Sequence, residues 1–274
     1  MSYTYDYPHP AVATDTVIFG FNGKTLEILL IERGIEPFTG MWAFPGGFLK
    51  MDETAEECAR RELLEETGLA IQTLKQLGAF SAVHRDPRER VVSIAFYTLV
   101  NPSEVRGGDD AVNARWFPVE EVPQLAFDHD YIFRKAMQQL RKDIHFEPVG
   151  FELLGESFTM SELQRLYEAI LGIHFDRRNF EKKMLQTGIL DLYDEPDLAE
   201  EMGSYHSCSS MEESKSFFGT HHEMKTKNID ELFGTMPNST LETPKQRGRK
   251  GRRFFFNKEK YNRFKQDNNS RLEF

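Results

Sequence analysis

The sequence predicts an α/β protein in which a mixed sheet carries helices on its faces and a helix-turn-helix segment follows. Three observations predict it. Runs rich in β-formers fill residues 13–21, 25–32, 71–82 and 91–100, with Arg115-Trp116-Phe117 as part of a further strand. Between and after them lie segments of helical period with recognisable caps. Past a break at Pro148 and Gly150, two short helices joined by a tight turn take over.

Each element follows from local chemistry. Asn22-Gly23 lies between the first two strand runs, the strongest short-range hairpin signal. Thr54 opens a run of good helix formers that Gly68 closes. Residues 128–142 put Ile132, Ala136, Met137 and Leu140 on one helical face. Thr159-x-x-Glu162 is a capping box for a helix through about Leu171. Leu163, Leu166, Tyr167 and Ile170 form its apolar stripe, and Gly172 ends it. Asp176 caps a second helix, 177–187, closed by Gly188; Phe180, Met184 and Leu185 are expected to hold it against the first. Residues 189–193 and 252–256 read as two strands of a wing. The expected domains are 1–147 and 148–274, with 194–244 as a mostly disordered insertion. His206, Cys208, His221 and His222 lie in that insertion at a spacing that matches no standard zinc site.

Composition removes several function classes. In 274 residues, 39% hydrophobic and 28% charged content supports one large or two modest packed domains. No run approaches the ~20 apolar residues that span a bilayer, and the first ten residues lack a signal-peptide pattern. Two cysteines, Cys58 and Cys208, make neither a disulfide framework nor a four-cysteine zinc site. A cytoplasmic protein is expected. Its charge is uneven: residues 245–274 carry 11 Lys+Arg against 3 Asp+Glu, in a chain whose net charge is -10. A basic end on an acidic body points to a polyanionic partner or to a solubilising tail.

The densest chemical signal lies at Gly46–Leu69. The glycines at 46 and 47 let the chain turn where a side chain would clash. Glu62, Glu65 and Glu66 then stand at i, i+3 and i+4, on one face within one helical turn. Three carboxylates that close repel one another unless a cation sits among them, and hard oxygen ligands suit Mg2+ or Mn2+. The competing reading is a solvated acidic face with helix pairs such as Glu57 with Arg61.

Gly47, five residues, Glu53, seven residues, and then Arg61-Glu62-Leu63-x-Glu65-Glu66-x-Gly68-Leu69 resembles the Nudix box at all nine specified positions. The preceding Trp42-Ala43-Phe44-Pro45-Gly46 is also similar to that family. The resemblance implies a Nudix α/β/α sandwich and a nucleoside diphosphate-linked substrate. It implies metal ligation by Glu62, Glu65 and Glu66, a catalytic role for Glu65 and Glu66, and structural roles for Gly47, Glu53, Arg61 and Gly68. A carboxylate outside the box is expected as base; Asp109 and Asp110 are candidates, with Asp110 preferred and Glu89 weaker. Arg85, Arg88 and Arg90 are expected to meet phosphate or ribose. Phe80, Phe96 and Phe127 are expected to be core residues rather than stacking platforms.

The pattern Arg85-Asp86-Pro87-Arg88-x-Arg90, Phe127-Asp128-His129, Leu163-Gln164-x-Leu166-Tyr167 and Asp176-x-Arg178-Asn179-Phe180 resembles the NrtR-type regulators, Nudix domains fused to a winged helix-turn-helix. The insertion departs from that pattern. Independently, Arg177, Arg178, Asn179, Lys182 and Lys183 crowd the second helix, where Arg pairs with guanine and Asn with adenine in a major groove. Arg249 and Arg252 belong to a basic run suited to phosphates. Two functions follow from these features. One is a DNA-binding regulator, expected as a homodimer, that senses ADP-ribose, a related nucleotide or a pentose such as arabinose. The other is an active Nudix hydrolase that splits ADP-ribose into AMP and ribose 5-phosphate, with the winged domain as accessory.

Overall fold

The computed structural model describes residues 6–71, 73–102, 113–146, 149, 153–193 and 252–266, with side chains to 263. The predicted insertion, Asp109, Asp110 and Arg249 lie outside the described residues. So do Pro148 and Gly150.

The strands β1 (Ala11–Phe21), β2 (Leu26–Glu32), β3 (Trp42–Ala43), β4 (Gly46–Phe48), β5 (Lys75–Phe80), β6 (Val91–Val100) and β7 (Ala114–Pro118) form one mixed sheet. Its main path runs β3-β2-β1-β6-β5; β4 also pairs with β1, and β7 with β2. β1 and β6 are parallel and the other pairs antiparallel. Asn22-Gly23 makes the expected hairpin: the Asn22 Oδ1 accepts from the Lys24 and Thr25 amides, and Gly23 takes a φ of 89°.

The side-chain period of two splits β1 between two faces. Val17, Phe19 and Phe21 join a large core with helix α2 (His129–Asp143), whose Ile132, Ala136, Met137 and Leu140 are buried. Ile18 points the other way and packs with Leu29 and with Leu63 of helix α1 (Ala55–Thr67). The sheet is thus sandwiched between α1 and α2. Thr54 and Glu57 close a reciprocal capping box on α1, and Gly68 ends the helix in the left-handed conformation. Glu57 therefore serves the cap rather than the Arg61 pairing considered above.

Helices α3 (Met160–Leu171) and α4 (Arg177–Gln186) form the helix-turn-helix. Thr159 and Glu162 make the capping box and Asp176 caps α4, as the spacing predicts. A three-stranded wing follows, in the order β8-β10-β9: β8 (Phe158–Thr159), β9 (Leu190–Leu192) and β10 (Arg253–Phe256). Helix α5 (Lys258–Gln266), which the sequence reading did not foresee, comes after it. Phe180 and Met184 are buried against α3, but Leu185 is exposed, so the expectation that it packs there is corrected. Its position falls one residue past the buried stripe. The apolar core continues from α2 through α3, α4 and the wing strands without a gap. No helix among the described residues is long and apolar enough to cross a membrane.

Candidate functional site

A cavity of about 270 Å3 opens where β1, the loop after β2, the Phe44–Phe48 segment and the start of α2 meet. Asp15, Arg33, Phe44, Gly47, Glu66, Arg85, Arg88, Phe127 and His129 are among its lining residues. The two glycines are dictated by close approach. A Cβ on Gly46 would lie 2.0 Å from the Thr14 carbonyl oxygen, and one on Gly47 would lie 2.2 Å from the Glu62 carboxylate.

The three box glutamates have different surroundings. Glu66 faces the cavity, and its Oε2 accepts from the Gly46 amide at 2.9 Å. Burial pushes the Glu66 carboxyl up to about 7; the Gly46 amide opposes this, and the charges of Glu62 and Asp15 add to it. Glu62 lies beneath Gly47 with Oε1 2.6 Å from Arg61 Nη1. Glu65 is 57% exposed and 3.2 Å from the same nitrogen. Arg61 also grips Glu53 through two bonds, of 3.0 and 2.7 Å. That fork holds the Glu53 carboxyl down at about 2 and ties the loop to the helix.

Among the described residues, no three His, Cys, Asp or Glu side chains stand close enough to hold a metal. At the glutamate turn the Arg61 guanidinium engages Glu62 and Glu65 together. The residues nonetheless fit a divalent cation. Glu66 is a largely buried carboxyl with an amide partner and two acidic neighbours, which a cation would relieve, and every donor is a hard oxygen.

The arginines also divide. Arg85 is buried, 3.0 Å from Asp15 and forked on Asp128 at 2.8 and 3.1 Å. Arg88 is more exposed, forks on Asp86, and lies 5.4 Å over the Phe48 ring and 5.8 Å over Phe127. Arg90 is not among the cavity residues; its guanidinium donates to the Ser81 and Ala82 carbonyls. Glu89 is exposed on the surface.

Sequence reasoning missed four contributors. Asp15 accepts from Ser93 at 2.6 Å and faces His129 Nε2 at 3.3 Å. Burial would raise its pKa, yet His129, Arg85 and Ser93 hold it far below the usual carboxylate range. An acid within a strand of buried apolar residues was the available signal. Arg33 lies 4.6 Å over Phe127, and burial together with Arg88 lowers its pKa. Phe127 was expected in the core but lines the cavity, with a φ of 54°. Phe44 stacks on His129 at 5.2 Å, with its ring tilted 15°. Phe80 and Phe96 are buried, as expected.

On the winged segment, Arg177, Arg178, Asn179, Lys182 and Lys183 are all exposed along one helix. Arg252 is 71% exposed and 3.5 Å from Glu181.

Residues 9–138 match the NUDIX domain family, and residues 150–202 match the NrtR DNA-binding winged helix domain. An ADPR-responsive transcriptional repressor of Acinetobacter baylyi is 32% identical over 71% of this chain and 80% of its own length. The chain belongs to the NrtR-type Nudix family. Its NrtR relatives include a solved structure, Shewanella oneidensis NrtR in complex with a 27mer DNA. That structure matches at a TM-score of 0.59 and 28% identity, covering 68% of this chain and 90% of the other. The NrtR-type chain is also similar to an ADP-ribose pyrophosphatase of Methanocaldococcus jannaschii, 46% identical over 48% of this chain and 76% of that protein.

Proposed function

We propose that this NrtR-type protein is a cytoplasmic transcriptional regulator that binds duplex operator DNA as a homodimer and senses ADP-ribose or a related nucleotide in its Nudix cavity. We infer that it also retains metal-dependent cleavage of the diphosphate. The division into a Nudix domain, 1–147, and a winged DNA-binding domain, 148–274, belongs to this proposal. The observation that carries the reading is that Glu66, Arg33 and Arg88 line one cavity, in a chain whose α4 exposes five DNA-compatible side chains. The likeness to an ADPR-responsive repressor supports it.

Each residue has a share of the chemistry. Arg88 and Arg33 neutralise the diphosphate, and the Phe127 face offers a stacking surface to a ring. Arg85 holds Asp15 and Asp128 in place rather than reaching the ligand. Glu62, Glu65 and Glu66 would hold Mg2+ or Mn2+, which needs Arg61 to release Glu62 and Glu65. Such a cation supplies charge neutralisation and an acidified water. Asp110 stays our proposed base from outside the box. Water adds across the diphosphate to give AMP and ribose 5-phosphate.

The retained enzyme is favoured by the complete box and by the identity to a pyrophosphatase. A pentose remains the alternative effector. Two measurements decide the matter. Fluorescence anisotropy with DNA from upstream of the gene is expected to show binding that ADP-ribose weakens and arabinose does not. An AMP assay with ADP-ribose and Mg2+ is expected to show turnover. Absence of DNA binding removes the regulator, and absence of AMP removes the enzyme.

A further inference from the structure

We propose that α2 transmits occupancy of the Nudix cavity to the DNA-reading helices, with His129 as the positioning residue at one end and Arg141 at the other. The inference rests on the sensing function proposed above.

The cavity end is built from three consecutive residues. Phe127, in the left-handed region, presents its ring to Arg33 and Arg88. Asp128 takes the Arg85 fork. His129, the first residue of α2, is 3% exposed. Its Nδ1 accepts the Phe44 amide at 3.0 Å, which leaves the proton on Nε2, facing Asp15 Oδ1 at 3.3 Å. Phe127 and His129 line the cavity, so the start of α2 forms part of its wall.

Between its ends α2 is stiff. Its 15 residues span about 22 Å. Four buried apolar side chains seat it on the sheet and α3, and Tyr97 bonds Asp143 at its last residue. A push at one end is delivered at the other.

The far end meets the reader at a sensitive atom. Arg141 Nε donates to the Ile170 carbonyl at 2.9 Å. Ile170 lies in the last turn of α3, where carbonyls have no partner within the helix and cations are favoured. The turn beyond is held in register: Gln164 Nε2 donates to the Phe175 carbonyl at 2.9 Å, and the Phe175 amide donates to Glu168 Oε1 at 2.8 Å. Asp176 then caps α4. A shift of the α3 end carries the start of α4, with Arg177, Arg178 and Asn179, along with it.

The test measures the DNA dissociation constant of the full chain with and without α,β-methylene ADP-ribose, which cannot be cleaved. Calorimetry measures ligand binding separately. In wild type the ligand is expected to weaken DNA binding between about 5-fold and 150-fold. Arg141→Met keeps the aliphatic stem and is expected to hold both individual affinities within about twofold while reducing the ligand effect to under about twofold. His129→Asn, which retains an acceptor for the Phe44 amide, keeps the response, and His129→Ala loses it. Arg134→Ala, exposed on the same helix, responds as wild type does. An Arg141→Met protein with the full ligand effect overturns the inference alone. A wild type that binds DNA but ignores the ligand overturns the sensing function and the inference with it.

Discussion

The Nudix cavity and the α4 face both concentrate charge, but in opposite manners. Around the cavity the charges are cross-linked: buried Asp15 engages Arg85, Ser93 and His129, and Arg88, though exposed, is forked on Asp86. On α4, Arg177, Arg178 and Lys182 point into solvent, and among the described residues none has a carboxylate partner. The difference matches the two ligands proposed above. A small diphosphate must be met by groups already fixed in place, because their reorganisation would cost binding energy. Duplex DNA rewards mobile surface cations through counterion release, and pre-pairing them would weaken that gain.

The contrast can be broken most forcefully at Arg85. Arg85→Met leaves Asp15 buried without its cation, so thermal or urea unfolding is expected to show a loss of about 3–5 kcal/mol. The equivalent change on the open face, Arg178→Ala, is expected to leave unfolding unmoved within about 0.5 kcal/mol. Next in size is Glu66→Gln, expected to lower AMP production at least about 100-fold with DNA affinity in the absence of effector unchanged. Equal turnover by this variant would remove Glu66 from the chemistry. Third, Arg178→Ala is expected to weaken operator binding by about 1–3 kcal/mol and to relax the base preference at one operator position. Operator affinity and base preference equal to those of wild type would place Arg178 off the DNA.

The smallest expected effect is set by pH. Glu66 has a raised carboxyl, near 7, so it holds its proton in the folded chain where an unfolded glutamate has lost it. The metal-free protein therefore loses stability as pH climbs from about 4.5 towards 7. Because a proton competes with the cation, Mg2+ affinity is expected to rise through the same region. Calorimetric titration of Mg2+ at about pH 6 and about pH 8 checks the sign, and an affinity independent of pH would count against Glu66 as a ligand.

Legibility in the sequence followed the range of each interaction. Thr54 with Glu57, Thr159 with Glu162, and Asn22-Gly23 act over two or three residues, so helix starts and the hairpin were readable. The box glutamates were readable as a group because helical spacing alone puts them on one face. Their partition was not, since the bond from Gly46 to Glu66 spans 20 residues and no periodicity encodes it. The same holds for the Phe44 amide on His129, 85 positions away. Phe127 read as core because an aromatic at a helix start usually is, but its backbone takes a positive φ and its side chain lines the cavity. Leu185 read as packing on α3 but lies one position beyond the helix's buried stripe.

The wing holds a further lesson, about the order of synthesis. Its middle strand, β10, is encoded after the long 194–251 stretch, while its two outer strands come before it. The Tyr193 amide donates to the Arg253 carbonyl at 2.9 Å, so the chain departs and re-enters at neighbouring points. A nascent polypeptide that has already completed its Nudix sheet still lacks the centrepiece of its winged domain. A stop codon between residues 194 and 252 would therefore leave every cavity-lining residue in place beside an unfinished wing.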